Sequence, residues 1–166
     1  MITPDYVRLM ARYNSWLNGS LYGAADALSD AARREERGAF FGSIHGTLSQ
    51  ILWGDRMWMN RFAGTERPTE TIATSPALVA EWEALKAARA EFDKVIEDWA
   101  ATVDRDWLGR DLTWFSGAVN REITKPAPFL VMHFFNHQTH HRGQVHAMLT
   151  AAGARPGDTD LFLIDG

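Results

Sequence analysis

The sequence predicts an all-α protein, a four-helix bundle with a short hairpin or irregular excursion before its last helix. Three observations predict it. Four stretches carry apolar residues at helical spacing. Cap-type residues, prolines and glycines stand at their ends. Only residues 103–125 have a different character, with strand-like runs around a turn.

The first helix is predicted from Pro4, with Thr3 as N-cap, to about Leu28; Val7, Met10, Ala11, Trp16, Leu17, Leu21 and Ala24 form its stripe. Asn14 and Asn18 interrupt it, either hydrogen-bonded inside the bundle or facing solvent. Residues 28–38 are polar and read as a connection with a short helical turn at Asp30 to Glu36. A second helix runs from about Ser43 to Phe62, on Ile44, Leu48, Ile51, Leu52, Trp53, Met57, Trp58 and Met59. The pair Ser75-Pro76, cap then proline, announces a third helix that continues through Leu78, Trp82, Leu85, Phe92 and Ile96 to Trp99. Asp111 to Phe115 and Asn120 to Thr124, around Ser116-Gly117-Ala118, suggest a hairpin. A fourth helix follows Pro126 or Pro128 and ends near Ala152, with Gly153 as its cap. The tail is expected to fold back and bury Leu161, Phe162 and Leu163.

A length of 166 residues fits one domain spanning 1–166. Composition is that of an ordinary globular protein, 46% apolar and 23% charged. A net charge of −4 argues against a general nucleic-acid binder. The chain has no cysteine, which excludes disulfides, thiolate ligands and cysteine nucleophiles, so any metal must be held by His, Asp or Glu. Its first residues lack the apolar core of a signal peptide, and no apolar run approaches the roughly 20 residues that span a bilayer. A cytoplasmic location, away from membranes, is expected. Seven tryptophans and nine phenylalanines imply either a large aromatic core or an aromatic-lined pocket.

Five of the six histidines fall in the fourth helix, at 133, 137, 140, 141 and 146. At about 100° per residue, His133, His137, His140, His141 and Gln144 share one face, and His146 lies on the other. His137 and His141, one turn apart, can grip one ion, as in zinc proteases. The protease glutamate is missing, and so is any Glu-x-x-His of a di-iron bundle. His133 and His141 are about 12 Å apart along the axis, too far for one ion, so His133 suits a supporting or packing role. His140 could orient a substrate or move a proton, or simply be a polar surface group. The remaining histidine, His45 on the second helix, is the economical third ligand. Three imidazoles with open positions suit zinc, nickel, iron(II) or copper(II) and resemble catalytic rather than structural sites. A pH-responsive histidine cluster and a site that holds no metal remain the alternatives.

His-Gln-Thr-His-His-Arg-Gly-Gln at 137–144 resembles the signature of the DinB/YfiT-like family of small bacterial metalloenzymes. Arg12 to Asn18, Phe41 to Leu48 with Asp55 to Trp58, and Asp158 to Leu161 are similar to its other patterns, so the resemblance runs along nearly the whole chain. It implies a four-helix bundle with up-down-down-up connectivity, frequent homodimers, and one divalent ion, nickel or zinc, held by His45, His137 and His141. Some members of that family act on small molecules with a low-molecular-weight thiol. Function is therefore expected to be metal-dependent hydrolysis or thiol transfer, with a non-catalytic, stress-related metal- or ligand-binding module as the alternative. Resemblance does not specify the substrate.

Overall fold

A computed structural model describes residues 1–117 and 119–164. Four long helices dominate it: α1 (Pro4–Asp26), α3 (Ile44–Ala63), α4 (Trp82–Thr102) and α6 (Ala127–Ala151). Two short helices, α2 (Asp30–Arg34) and α5 (Arg105–Leu108), and one hairpin, β1 (Asp111–Ser116) with β2 (Arg121–Pro126), complete the described elements. The hairpin is antiparallel, pairing Asp111 with Pro126 and Ser116 with Arg121. Ala118, in its predicted turn, lies outside the described residues. The chain is thus mostly helical with a small two-stranded sheet, rather than purely α.

The helix ends follow local chemistry. Thr3 caps α1 by accepting from the Tyr6 amide. The Ser43 side chain accepts from the Gly46 amide at the start of α3. Gly64 closes α3 with φ near 69°, a left-handed conformation that favours glycine. Gly153, with φ near 83°, follows the Ala152 cap of α6.

Two expectations are corrected. Ser75-Pro76 opens only a 3-10 turn, Ser75–Ala77, and α4 starts at Trp82. The intervening backbone is committed elsewhere: the Val79 carbonyl accepts from His45 Nε2 at 2.9 Å instead of from its own helix. The tail also does not bury its apolar residues, since Leu161 and Phe162 are exposed. Polar bonds fasten it to α1 first, from Tyr13 Oη to the Thr159 carbonyl and from the Gly157 amide to Ser20 Oγ.

α1 packs on α4 and α6, and α3 packs on the same two helices. Two apolar clusters fill the interior. One holds Val7, Met59, Phe62, Ile96, Trp99 and Phe134; the other holds Leu21, Ile44, Leu48, Leu85, Val145 and Leu149. Phe62 stacks on Trp99 at 5.2 Å and meets Trp107 edge-on, so much of the tryptophan content is core.

A buried polar belt lies between the clusters. Asp55 on α3 pairs with Arg89 on α4 at 2.6 Å and accepts from Gln138 Nε2 on α6 at 2.8 Å. Arg89 also lies 2.8 Å from Asp93, which accepts from Asn18 at 2.9 Å and from Asn14. Arg142 donates to Asn14 Oδ1. The Gln138–Asp55 bond sets the rotation of α6 against α3, which aims the neighbouring His137 toward α3.

Candidate functional site

α6 places His137 and His141 one turn apart on the face opposite Thr139 and His146. Their rings are 4.6 Å apart, centre to centre, at 77°. His140 lies 4.8 Å from His141 at the exposed edge. These three, with Gln144, line a cleft of about 310 Å³. His133 lies one turn before His137, with ring centres 6.0 Å apart, and its ring stands edge-on to Trp58 at 5.1 Å. His146 opens instead onto a separate cavity with Tyr13, Thr139 and Arg142. The angular division expected within the helix is the one observed.

The loop before α3 supplies Phe40 and Phe41 to the cleft, and Ile72 reaches it from the following segment. Phe41 meets His141 edge-on at 5.3 Å. Phe40 and Ile72 are exposed, giving the mouth an apolar lip. No carboxylate lines the cleft among the described residues.

Protonation suits ligation. His141 Nδ1 lies 2.8 Å from Gln144 Oε1. An amide oxygen only accepts, so this bond keeps the proton on Nδ1 and leaves the Nε2 lone pair free. Burial, reinforced by the surrounding imidazoles, lowers His137 to about 4. Burial also lowers His141, against the bond to Gln144. Both rings are neutral near pH 7, the form that binds a metal.

The structure does not bring His45 to this pair. Its ring is buried, with Nε2 bonded to the Val79 carbonyl and its centre 6.1 Å from that of the Trp82 ring. Burial lowers its pKa too. The residues of α3 that face His137 are Gly54, where a Cβ would come within 3.0 Å of His137 Cε1, and Gln50, which lines the cleft. Among the described residues no three His, Cys, Asp or Glu side chains gather as a metal-holding group. A three-histidine set therefore does not fit this arrangement. A cation at the pair does fit one feature: His137 Nδ1 and Gln50 Oε1 are both buried without a hydrogen-bond partner.

Sequence reasoning missed Gln50, although a signal existed. Gln50 and Gly54 stand four residues apart, on either side of the apolar run Ile51-Leu52-Trp53, a polar group and a helix-weakening residue on one face.

Comparison with known proteins agrees with the resemblance. A family model described as the DinB family matches residues 1–165. Protein DinB of Bacillus subtilis (strain 168) is 26% identical over 165 residues, covering 96% of this chain and 93% of that protein.

Proposed function

The chain belongs to the DinB family, and from that premise we propose that it is a metal-dependent enzyme of the hydrolase or thiol-transferase type, with a divalent ion, nickel or zinc, held at His137 and His141. The observation that carries this reading is the pair itself: two neutral imidazoles 4.6 Å apart, in a cleft open to solvent, beside buried polar atoms without partners. A bound ion would supply a Lewis acid that lowers the pKa of water or of a small thiol.

The chain's own groups do the rest. Gln144 holds the His141 ring in one tautomer and orientation. His140, at the exposed edge, accepts or donates a proton to whatever enters the cleft. Phe40, Phe41 and Ile72 exclude water from the lip and receive the apolar part of a small substrate.

The absence of a carboxylate among the described residues of the cleft favours a second reading, a non-catalytic metal- or ligand-binding module. Elemental analysis of untagged protein, beside His137→Ala, tests metal binding first: about one ion per chain is expected, lost in the variant. Turnover of electrophiles with added thiols, or of esters and amides, above the His137→Ala background then favours the enzyme. A large fall in melting temperature on metal removal, with no turnover, favours the module.

Further parts of this reading are a single domain over 1–166, an up-down-down-up helix order, a cytoplasmic homodimer and no nucleic-acid partner. Supporting the helix order, α1 and α6 meet the two apolar clusters in opposite sequence to each other's partners α3 and α4 along the chain. The mild negative charge supports the last. No helix among the described residues is long and apolar enough to cross a membrane. Light scattering checks the dimer.

A further inference from the structure

We propose that the third protein donor to the ion is the side-chain amide oxygen of Gln50, so that the centre is a set of two imidazoles and one amide. This inference rests on the metal reading above and deepens it.

Four observations converge on Gln50. It is 1% exposed, and its Oε1 has no hydrogen-bond partner. It lines the same cleft as His137 and His141. A Cβ at Gly54 would stand 3.0 Å from His137 Cε1 and 3.8 Å from Gln50 Nε2, so the Gln50 amide group and the His137 ring both border the space that Gly54 leaves open. His137 Nδ1, on that side, is likewise unpartnered.

A buried amide oxygen with no partner is costly, and natural structures keep few of them. A cation between this oxygen and the imidazoles would satisfy it. Carbonyl-type oxygens are ordinary donors to divalent ions, whereas an apolar core position would carry Leu or Met at no such cost.

His45 cannot serve from where it stands. It precedes Gln50 by five residues, roughly 140° around the helix. Its Nε2 is already bonded to the Val79 carbonyl at 2.9 Å. Turning it to the cleft would break the tie between α3 and the segment leading into α4.

The set has no anionic protein ligand. It therefore leaves the full double charge to be met by whatever enters from solvent, and because an amide oxygen is a poorer donor to nickel or zinc than an imidazole nitrogen, it binds an ion more weakly than three imidazoles would.

The test uses the full-length, untagged chain with Ni(II) and Cu(II) as probes. Ni(II) affinity is read by competition with a chromophoric chelator, and coordinated imidazoles are counted by pulsed electron paramagnetic resonance of the Cu(II) form. Wild type should show two imidazoles. Gln50→His should show three and bind at least tenfold more tightly. Gln50→Leu should bind at least tenfold more weakly, with unchanged circular dichroism. His45→Gln, which keeps a donor for Val79, should match wild type in both measurements.

Three imidazoles in wild type, falling to two in His45→Gln, would overturn the proposal. So would a Gln50→His protein that still counts two, or a Gln50→Leu protein with unaltered affinity. If instead wild type binds no more tightly than His137→Ala, the metal reading itself fails and this inference with it.

Discussion

His137 shows how burial of one side chain becomes a property of the molecule. Its pKa falls to about 4, chiefly by desolvation and then by the neighbouring imidazoles. In the unfolded chain it returns to about 6.5. Below that pH the unfolded state takes a proton that the folded state refuses, so stability falls as pH drops from 6.5 toward 4. The slope is about 1.4 kcal/mol per pH unit for one such group. Metal-free wild type should lose stability between pH 6.5 and 4.5, and His137→Gln should lose measurably less. Urea denaturation at both pH values reads the difference, and equal losses in the two proteins would remove His137 as the cause. At this scale the sequence was legible where one helix decides. The spacing of His137 and His141 makes them neighbours on any α-helix, and it sends His146 elsewhere. It was not legible where two helices meet, because the rotation of α3 against α6 is set by the bond from Gln138 to Asp55. Which side chain of α3 faces the pair depends on that rotation, so residue type alone points to His45 and passes over Gln50.

Glycines make a comparable contrast between elements. Gly46 sits in the first turn of α3, where a Cβ would come within 2.7 Å of the Phe41 carbonyl and 3.3 Å of Pro76 Cβ. Backbone cannot move aside as a flexible side chain can, so Gly46→Ala should destabilise by about 1–3 kcal/mol, a typical overpacking cost, despite alanine's better helix propensity. Gly19 and Gly23 lie on the exposed side of α1 with nothing within 4 Å of such a Cβ. Alanine there should stabilise by about 0.5–1 kcal/mol each. Chemical denaturation of the three variants checks the signs; a stabilised Gly46→Ala would mean that the Phe40-Phe41 loop moves freely. That loop also forms the lip of the cleft, so Gly46→Ala reports on how firmly the lip is held. Element positions were legible from periodicity and caps, as Thr3 and Ser43 show. The start of α4 was not, because Val79 bonds to His45 through space and no local pattern records it.

Across the whole molecule the polar belt divides the interior. Every long helix crosses it: α1 at Asn14 and Asn18, α3 at Asp55, α4 at Arg89 and Asp93, α6 at Gln138 and Arg142. The two asparagines, ambiguous from sequence, are buried members of it. Asp55 pairs with Arg89, while Arg142 bonds to Asn14. Belts of this kind restrict how helices can slide or rotate, since a shifted register would strand charges among apolar side chains. Arg89 is its hinge, 2.6 Å from Asp55 and 2.8 Å from Asp93. Arg89→Met would leave two buried carboxylates facing each other without a counter-charge. Loss of about 3–5 kcal/mol is expected, the usual result of removing one partner from a buried pair. The same change loosens Asp55, which holds Gln138 and through it the direction of His137, so metal affinity should fall as well. Arg142→Met offers the comparison. Arg142 has no carboxylate within ion-pair distance in the described structure and is displaced in its pKa chiefly by burial, down to about 10. Its replacement should cost less stability than that of Arg89, because it strands an amide rather than two charges. Urea denaturation of both variants without metal, followed by Ni(II) titration of each, separates the two effects. Equal stability losses would show that the belt is held by burial of its apolar parts, and that the Asp55–Arg89–Asp93 geometry does not govern how the helices align.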